Sequence, residues 1–228
     1  MKKKLVILSG AGISAESGIS TFRDAGGLWE GHDVMEVASA QGFQKNPELV
    51  LEFYNQRRRQ LLSVKPNAAH LIIAQLESDF DVTIVTQNVD NLHEQAGSSK
   101  IIHLHGELLK VRSTKNHSYI VDWTHDLTLQ DKDPQGNQLR PHIVWFGEEV
   151  PELERAAELV SNADILIVVG TSLQVYPAAG LMHFADPSIP VYYVDPKPAH
   201  IAYLPNPLTV IPEIASVGMQ KVYEAIKK

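Results

Sequence analysis

The chain has no cysteine among its 228 residues, which excludes disulfide bonds, thiolate metal clusters and a catalytic thiol. Long apolar runs are missing too: no stretch approaches the roughly 20 residues that span a bilayer, so no membrane partner is expected. Basic charge is scarce, with 20 Lys and Arg against 27 Asp and Glu for a formal net charge of −7. That balance argues against a nucleic-acid partner, yet leaves room for a cationic, lysine-rich peptide. There is no internal repeat, low-complexity tract or coiled-coil heptad. Met1 to Lys4 followed by Leu5 to Leu8 mimics a signal peptide, but the apolar run is too short and meets Gly10 at once. It reads as a buried strand, and the chain as a soluble, cytoplasmic protein.

What is present is core-forming material. A hydrophobic content of 44% over this length builds one large domain, or a domain with a lobe. Short β-branched runs at Leu5 to Leu8, Val82 to Thr86, Ile101 to Leu104, Ile165 to Val169 and Val191 to Val194 read as strands buried on both faces. Helical patterns lie between them at Pro47 to Leu62, Pro66 to Leu76 and Pro151 to Val160, each opening on a proline. The alternation predicts an α/β fold, a doubly wound, Rossmann-like parallel sheet. Two insertions interrupt it: about 33–64, which is helical, and about 107–140, which is polar and carries the turn signal Asp133-Pro134-Gln135-Gly136-Asn137. They are expected to form a second, smaller lobe, leaving about 1–32, 65–106 and 141–228 to the large one.

Gly10-Ala11-Gly12-Ile13-Ser14-Ala15 follows the first strand and fits the G-x-G-x-x-G/A turn, in which small residues let backbone amides approach a pyrophosphate. A helix starting there would add a favourable dipole. By itself the turn is a weak signal. An ordinary dinucleotide fold continues with a helix, a second strand and an acidic residue about 20 positions on, whereas here Glu16 to Trp29 is rich in glycine and polar residues. That segment reads as a long loop over a cofactor.

Other chemistry-bearing residues cluster at strand ends, where open α/β sheets bind ligands. Gln87, Asn88 and Asp90 follow Val82 to Thr86; a capped turn would explain two of them. His105 follows Ile101 to Leu104 and precedes Gly106; an imidazole titrating near neutrality suits a general base. The other nine of the ten histidines lack that context and read as structural. Gly170, Thr171 and Ser172 end one strand and Asp195 another, with hydroxyls that can both cap and bind ribose. Tyr54 and Arg57 are three apart in a helical pattern and share a face. Phenol plus guanidinium makes a good carboxylate receptor, although Arg57-Arg58-Arg59 could equally be a solvated surface.

Taken together these segments resemble the sirtuins, whose signatures stand here as Gly10 to Ser14, Thr21-Phe22-Arg23-Asp24, Thr86-Gln87-Asn88-Val89-Asp90, His105-Gly106, Arg140 to Gly147, Val169 to Ser172 and Val194-Asp195. The resemblance covers nearly the whole chain in order. It implies an NAD-dependent protein-lysine deacylase that consumes NAD and acts on acylated lysines of proteins. Asn88 and Asp90 would hold the nicotinamide amide and ribose, and His105 would be the catalytic base that deprotonates the cofactor ribose. The cofactor would be contacted by Gly10, Ala11, Gly12, Ile13, Ala15, Thr21, Phe22, Arg23, Trp29, Gln87, Gly170, Thr171, Ser172, Asp195 and Ala215. Val144 and Phe146 would line the substrate strand; for Phe146, core packing is an even alternative. Many sirtuins carry asparagine where Asp195 stands.

The Tyr54/Arg57 pair, with Ala38 at a small-residue position, resembles the sirtuin class that removes succinyl and malonyl groups, and so implies those activities beside deacetylation. Sirtuins usually hold a structural zinc on four cysteines in the small lobe. Here Ser113 stands where the first cysteine is expected and Asp131 to Gln138 replaces the later pair. No metal is expected, and packing of Tyr119, Ile120, Val121, Trp123 and Leu127 would hold the lobe. The rival readings are an NAD-dependent ADP-ribosyltransferase, a non-catalytic NAD or ADP-ribose sensor and, weakest, a dehydrogenase.

Overall fold

A computed structural model describes residues 2–20, the backbone of 28 and 29, and residues 31–227. In chain order the strands are β1 Lys4–Ser9, β2 Leu28–Trp29, β3 His32–Asp33, β4 Asp81–Thr86, β5 Ile101–His103, β6 Gly106–Ser113, β7 Ile120–Asp122, β8 Leu139–Ile143, β9 Ile165–Val169, β10 Val191–Val194 and β11 Leu208–Ile211. The helices are α1 Val34–Val37, α2 Ala40–Lys45, α3 Pro47–Ser63, α4 Ala68–Leu76, α5 Leu92–Gln95, α6 Leu153–Ser161 and α7 Ala215–Ile226. None of them, among the described residues, is long and apolar enough to cross a membrane.

Six strands form one parallel sheet in the order β11-β10-β9-β1-β4-β5. Period-2 alternation sends Leu5 and Ile7 to one face and Val6 and Leu8 to the other. The first pair packs with Ile73 of α4 and Met219 of α7, the second with Ala156 and Val160 of α6. Because both faces are covered, β9 is buried along its whole length, which is why its sequence is a continuous apolar run. The doubly wound expectation holds. The chain runs outward from β1 through β4 to β5, and outward on the other side from β9 through β10 to β11. Strand order therefore reverses between β1 and β9, the place where such sheets open a ligand crevice.

Three expectations about local structure need correction. The glycine turn does not start a long helix: Ala11–Ile13 and Ala15–Ser17 are single 3-10 turns, so no macrodipole is available to a phosphate. The helix assigned to Pro66 begins at Ala68, since Asn67 takes the N-cap and its side chain accepts from Ala69 N at 3.0 Å. The helix assigned to Pro151 begins at Leu153. Pro47, by contrast, is at the first position of α3.

The second lobe joins a three-stranded antiparallel sheet, β7-β6-β8, to α1, α2 and α3. Val50, Phe53 and Tyr54 of α3 pack on Leu108, Ile143 and Trp145. Tyr119, Val121, Trp123 and Leu127 pack around Val111 and Leu139 as expected, but Ile120 is 41% exposed, because alternation along β7 turns it outward. A polar knot was not anticipated. Ser113 is fully buried and donates to Asp133 Oδ2 at 2.6 Å. Asp133 also accepts from Gln135 N at 2.9 Å and from Asn137 N at 2.8 Å. Burial alone would raise the Asp133 carboxyl, but its Ser113, Asn137 and Gln135 donors hold it down to about 2. The end of β6 is thus tied to the 133–137 turn without any sulfur ligand.

Candidate active site

The turns after β1 and β9 interlock backbone to backbone at the switch point. Gly10 N donates to Val169 O at 3.0 Å and Gly12 N to Gly170 O at 2.7 Å. A Cβ on Gly12 would lie 2.8 Å from Gly170 Cα, and one on Gly170, whose φ is +65°, would lie 2.2 Å from Ile13 N. The glycines are thus required first by this close approach. Gly10, Gly12, Ile13 and Ser14 amides all have main-chain acceptors here, so most of this turn's donors are spent on its own fold.

A cavity of about 440 Å³ opens over this crossing. That is within the usual range for a small-molecule site. Of the sequence-selected residues, Gly10, Ala11, Gly12, Ala15, Gln87, Asn88, Asp90, His105, Gly170, Thr171, Ser172, Asp195 and Ala215 line it, together with Ala38, Tyr54, Arg57, Val144 and Phe146. Ile13 does not: its side chain is fully buried in the core with Ile7 and Ile73. Thr21, Phe22, Arg23 and the Trp29 side chain lie outside the described residues. Phe146 is 42% exposed, which decides against core packing. The three consecutive arginines separate by helical phase. Arg57 faces the cavity, Arg58 is buried and bonded to Leu108 O and Asn55, and Arg59 is exposed and paired with Glu52 and Asp126.

Ser14 joins the two polar side chains of the β4 loop. Asn88 Nδ2 donates to Ser14 Oγ at 3.2 Å, and Ser14 in turn donates to Asp90 Oδ2 at 2.9 Å. The loop is also pinned from below, where Asn88 N donates to Thr86 Oγ1, which accepts from Ser9 Oγ. Burial raises the Asp90 carboxyl above its ordinary range, opposed by donors from Leu92 N and Ser14. Ser14, part of the glycine motif, has no separate role legible in the sequence, because the residues it links lie 74 and 76 positions away.

His105 Nδ1 lies 3.1 Å from the Gln87 carbonyl. A carbonyl only accepts, so Nδ1 carries the proton and Nε2 keeps its lone pair. Burial lowers the pKa of His105, with the Gln87 bond opposing, and the ring is neutral near pH 7. Gly106 follows at φ +82°, and a Cβ there would lie 2.1 Å from His142 O; the pair His105-Gly106 thus places an imidazole where β6 must pass close to β8. His103, read as structural, contacts the same loop: its Nδ1 is 3.1 Å from Asn88 O and its Nε2 2.7 Å from Glu94. With Glu107 these are the one group of potential metal ligands among the described residues, but Glu107 is already bonded by Lys110.

At the end of the cavity nearest α3, Tyr54 is fully buried and its hydroxyl accepts from Trp145 Nε1 at 2.9 Å. Burial pushes the phenol well above its ordinary pKa, despite the Trp145 bond, so it stays a proton donor.

A family model described as "Sir2 family" matches residues 10–177, which holds the glycine turn, the β4 loop, His105 and the β9 turn. The chain belongs to the Sir2 family. It is 61% identical over 218 residues to a protein of Helicobacter pylori (strain J99) named NAD-dependent protein deacylase, covering 96% of this chain and 93% of that one. Its fold matches a Sir2 homolog–NAD complex with a TM-score of 0.88 at 37% identity, over 99% of this chain and 90% of that chain. It also matches a Sir2 protein bound to acetylated peptide, with a TM-score of 0.80 at 29% identity over 99% and 94% of the two chains.

Proposed function

We propose that this Sir2-family chain is an NAD-dependent protein-lysine deacylase that removes acidic acyl groups, succinyl and malonyl, as well as acetyl. The carrying observation is one continuous cavity that joins the glycine crossing, a neutral His105 with its Nε2 lone pair available, and the Tyr54/Arg57 pair. Relatives named NAD-dependent protein deacylases and a neighbour bound to acetylated peptide support the reading.

The residues suit NAD. Gly10, Gly12 and Gly170 line the cavity at the crossing where a pyrophosphate would approach, Thr171, Ser172 and Asp195 offer ribose partners, and Asn88 and Asp90 offer an amide and a carboxylate to the nicotinamide end. When bound, NAD supplies a glycosidic bond whose cleavage releases nicotinamide and leaves an electrophilic sugar carbon for the amide oxygen of acyl-lysine. Ser14 fixes the orientation of Asn88 and Asp90 for that departure. His105 accepts a ribose hydroxyl proton at Nε2, while Gln87 O keeps its Nδ1 proton in place and favours the imidazolium that results. Val144 and Phe146, whose amides are held by His105 O and Ala38 O, line the cavity and would flank the acyl-lysine stem. Tyr54 and Arg57 meet the terminal carboxylate of the acyl chain.

Incubation with NAD and acetyl- or succinyl-lysine peptides, read by mass spectrometry, separates the alternatives. Nicotinamide, O-acyl-ADP-ribose and free lysine are expected. ADP-ribosylated protein would instead indicate a transferase, and unchanged NAD a sensor.

A further inference from the structure

Four consecutive carbonyls, from the end of β4 into the loop that carries Asn88, are taken up by residues 103–108. Leu104 N donates to Thr86 O at 2.9 Å and Leu108 N to Val89 O at 2.8 Å. Between these, His105 Nδ1 lies 3.1 Å from Gln87 O and His103 Nδ1 lies 3.1 Å from Asn88 O. At 86 and 89 the donors are main-chain amides, which almost any sequence supplies. At 87 and 88 they are imidazoles, so the loop requires a particular side chain at 103 as well as at 105. The Asn88 amide N–H is held too, by Thr86 Oγ1 at 3.0 Å. With both main-chain polar groups of Asn88 bonded, its side chain keeps only its own torsions, and Nδ2 spends those on Ser14 Oγ.

The two imidazoles differ at their other nitrogen. His105 lines the cavity, and His103 is not part of its wall. His103 Nε2 lies 2.7 Å from Glu94 Oε1 of α5, with only 10% of the His103 side chain exposed. A carbonyl and a carboxylate both only accept, so both ring nitrogens of His103 carry protons. Burial lowers its pKa, yet the bond to Glu94 leaves it above the ordinary histidine value. A ring with two donors and no lone pair cannot take a proton from a substrate, but it can hold two acceptors in place.

We propose that His103 is a positioning residue for nicotinamide release: bridging Glu94 and the Asn88 carbonyl, it fixes the peptide from which the Asn88 amide reaches the nicotinamide end of NAD. The inference rests on the role given to Asn88 above and adds a residue that acts through it from outside the cavity wall.

Two amide isosteres separate the two bonds of the ring. His103→Asn puts an amide nitrogen near the Nδ1 position and keeps a donor for Asn88 O, whereas His103→Gln puts it near Nε2 and keeps only the bond to Glu94. Both are compared with wild type and Asn88→Ala in kcat on an acetyl-lysine peptide, in inhibition by nicotinamide, and in calorimetric binding of ADP-ribose, which lacks the nicotinamide ring. His103→Gln should lower kcat and raise the nicotinamide inhibition constant about five- to tenfold, the scale of one lost hydrogen bond, with ADP-ribose affinity within about twofold of wild type. His103→Asn should recover most of both losses, and Asn88→Ala should show the pattern of His103→Gln more strongly. If wild type releases no nicotinamide, or Asn88→Ala changes neither kcat nor nicotinamide inhibition, the role of Asn88 fails and the inference with it. If Asn88→Ala shows the pattern but His103→Gln does not, or weakens ADP-ribose binding equally, or fares no worse than His103→Asn, the His103 assignment alone is overturned. Should the His103 variants not fold, Glu94→Leu frees the ring from its other side and must lower kcat while sparing ADP-ribose affinity; an unchanged kcat overturns the assignment.

Discussion

His70 of α4 and His93 of α5 meet beneath the loop that carries Asn88, with ring centroids 4.9 Å apart and exposures of 0% and 1%. His93 Nε2 contacts Ser9 Oγ, which bonds Thr86, which bonds Asn88 N. Burial lowers His70 to about 4, against the pull of Glu16, and lowers His93 well below its ordinary value. His70 Nε2 and His93 Nδ1 also find no hydrogen-bond partner among the described residues, so neither ring has a hydrogen-bonded carboxylate to hold a second proton, and Glu16 only partly offsets the burial of His70. The folded protein thus keeps both neutral at pH values where the unfolded chain, titrating near 6.5, takes up protons. Stability is fully present above about pH 6.5 and falls as pH drops toward 4, by up to ~1.4 kcal/mol per pH unit for each ring. For His70 the loss reaches ~2 kcal/mol at pH 5 and ~3 kcal/mol at pH 4. His70→Gln keeps an acceptor for Asn67 N and cannot charge. Urea denaturation at pH 7.5 and pH 5.0 should show the variant less stable at the higher pH, from lost packing, with wild type losing ~2 kcal/mol more than the variant on acidification. Equal losses in the two proteins would refute the assignment of a neutral, buried His70.

Gly170→Ala forces an L residue to φ +65° with its Cβ 2.2 Å from Ile13 N. A fall in Tm of roughly 5–15 °C is expected, with loss of NAD binding by calorimetry; a protein that binds NAD normally would contradict the interlocked turns. Since burial lowers His105, kcat/KM for deacylation should rise with pH along a limb centred below 6.5 and stay flat above about 7, and a midpoint above 7 would exclude His105 as the base. Asp133→Ala should raise proteolytic cleavage and amide exchange across 113–137, while a chelator leaves Tm unchanged. Stoichiometric zinc by elemental analysis would overturn the polar knot as what ties β6 to that turn.

Much of this fold was readable because burial on two faces leaves an unmistakable mark. The runs Ile165 to Val169 and Val191 to Val194 became β9 and β10 residue for residue. Leu208–Ile211 escaped notice: as an edge strand its burial is only partial, and the prolines at 207 and 212 speak for a turn. The small sheet was missed for a related reason, since β6 mixes Lys110 and Arg112 with Leu108 and Val111 and none of its periodicity outweighs the polar loops around it. The site divides the same way. Residue types tied to a motif, such as Asn88, Asp90 and His105, were legible because their position after a strand already fixes which end of the sheet they occupy. Functions that depend on the direction of a hydrogen bond were not. Sequence shows a Trp at 145 and a Tyr at 54 but cannot show that the indole N–H ends on the phenol oxygen. Nor could it show that the buried Ser113 and Asp133 meet. In the small lobe one buried carboxylate, surrounded by donors, fastens the end of β6 to the 133–137 turn.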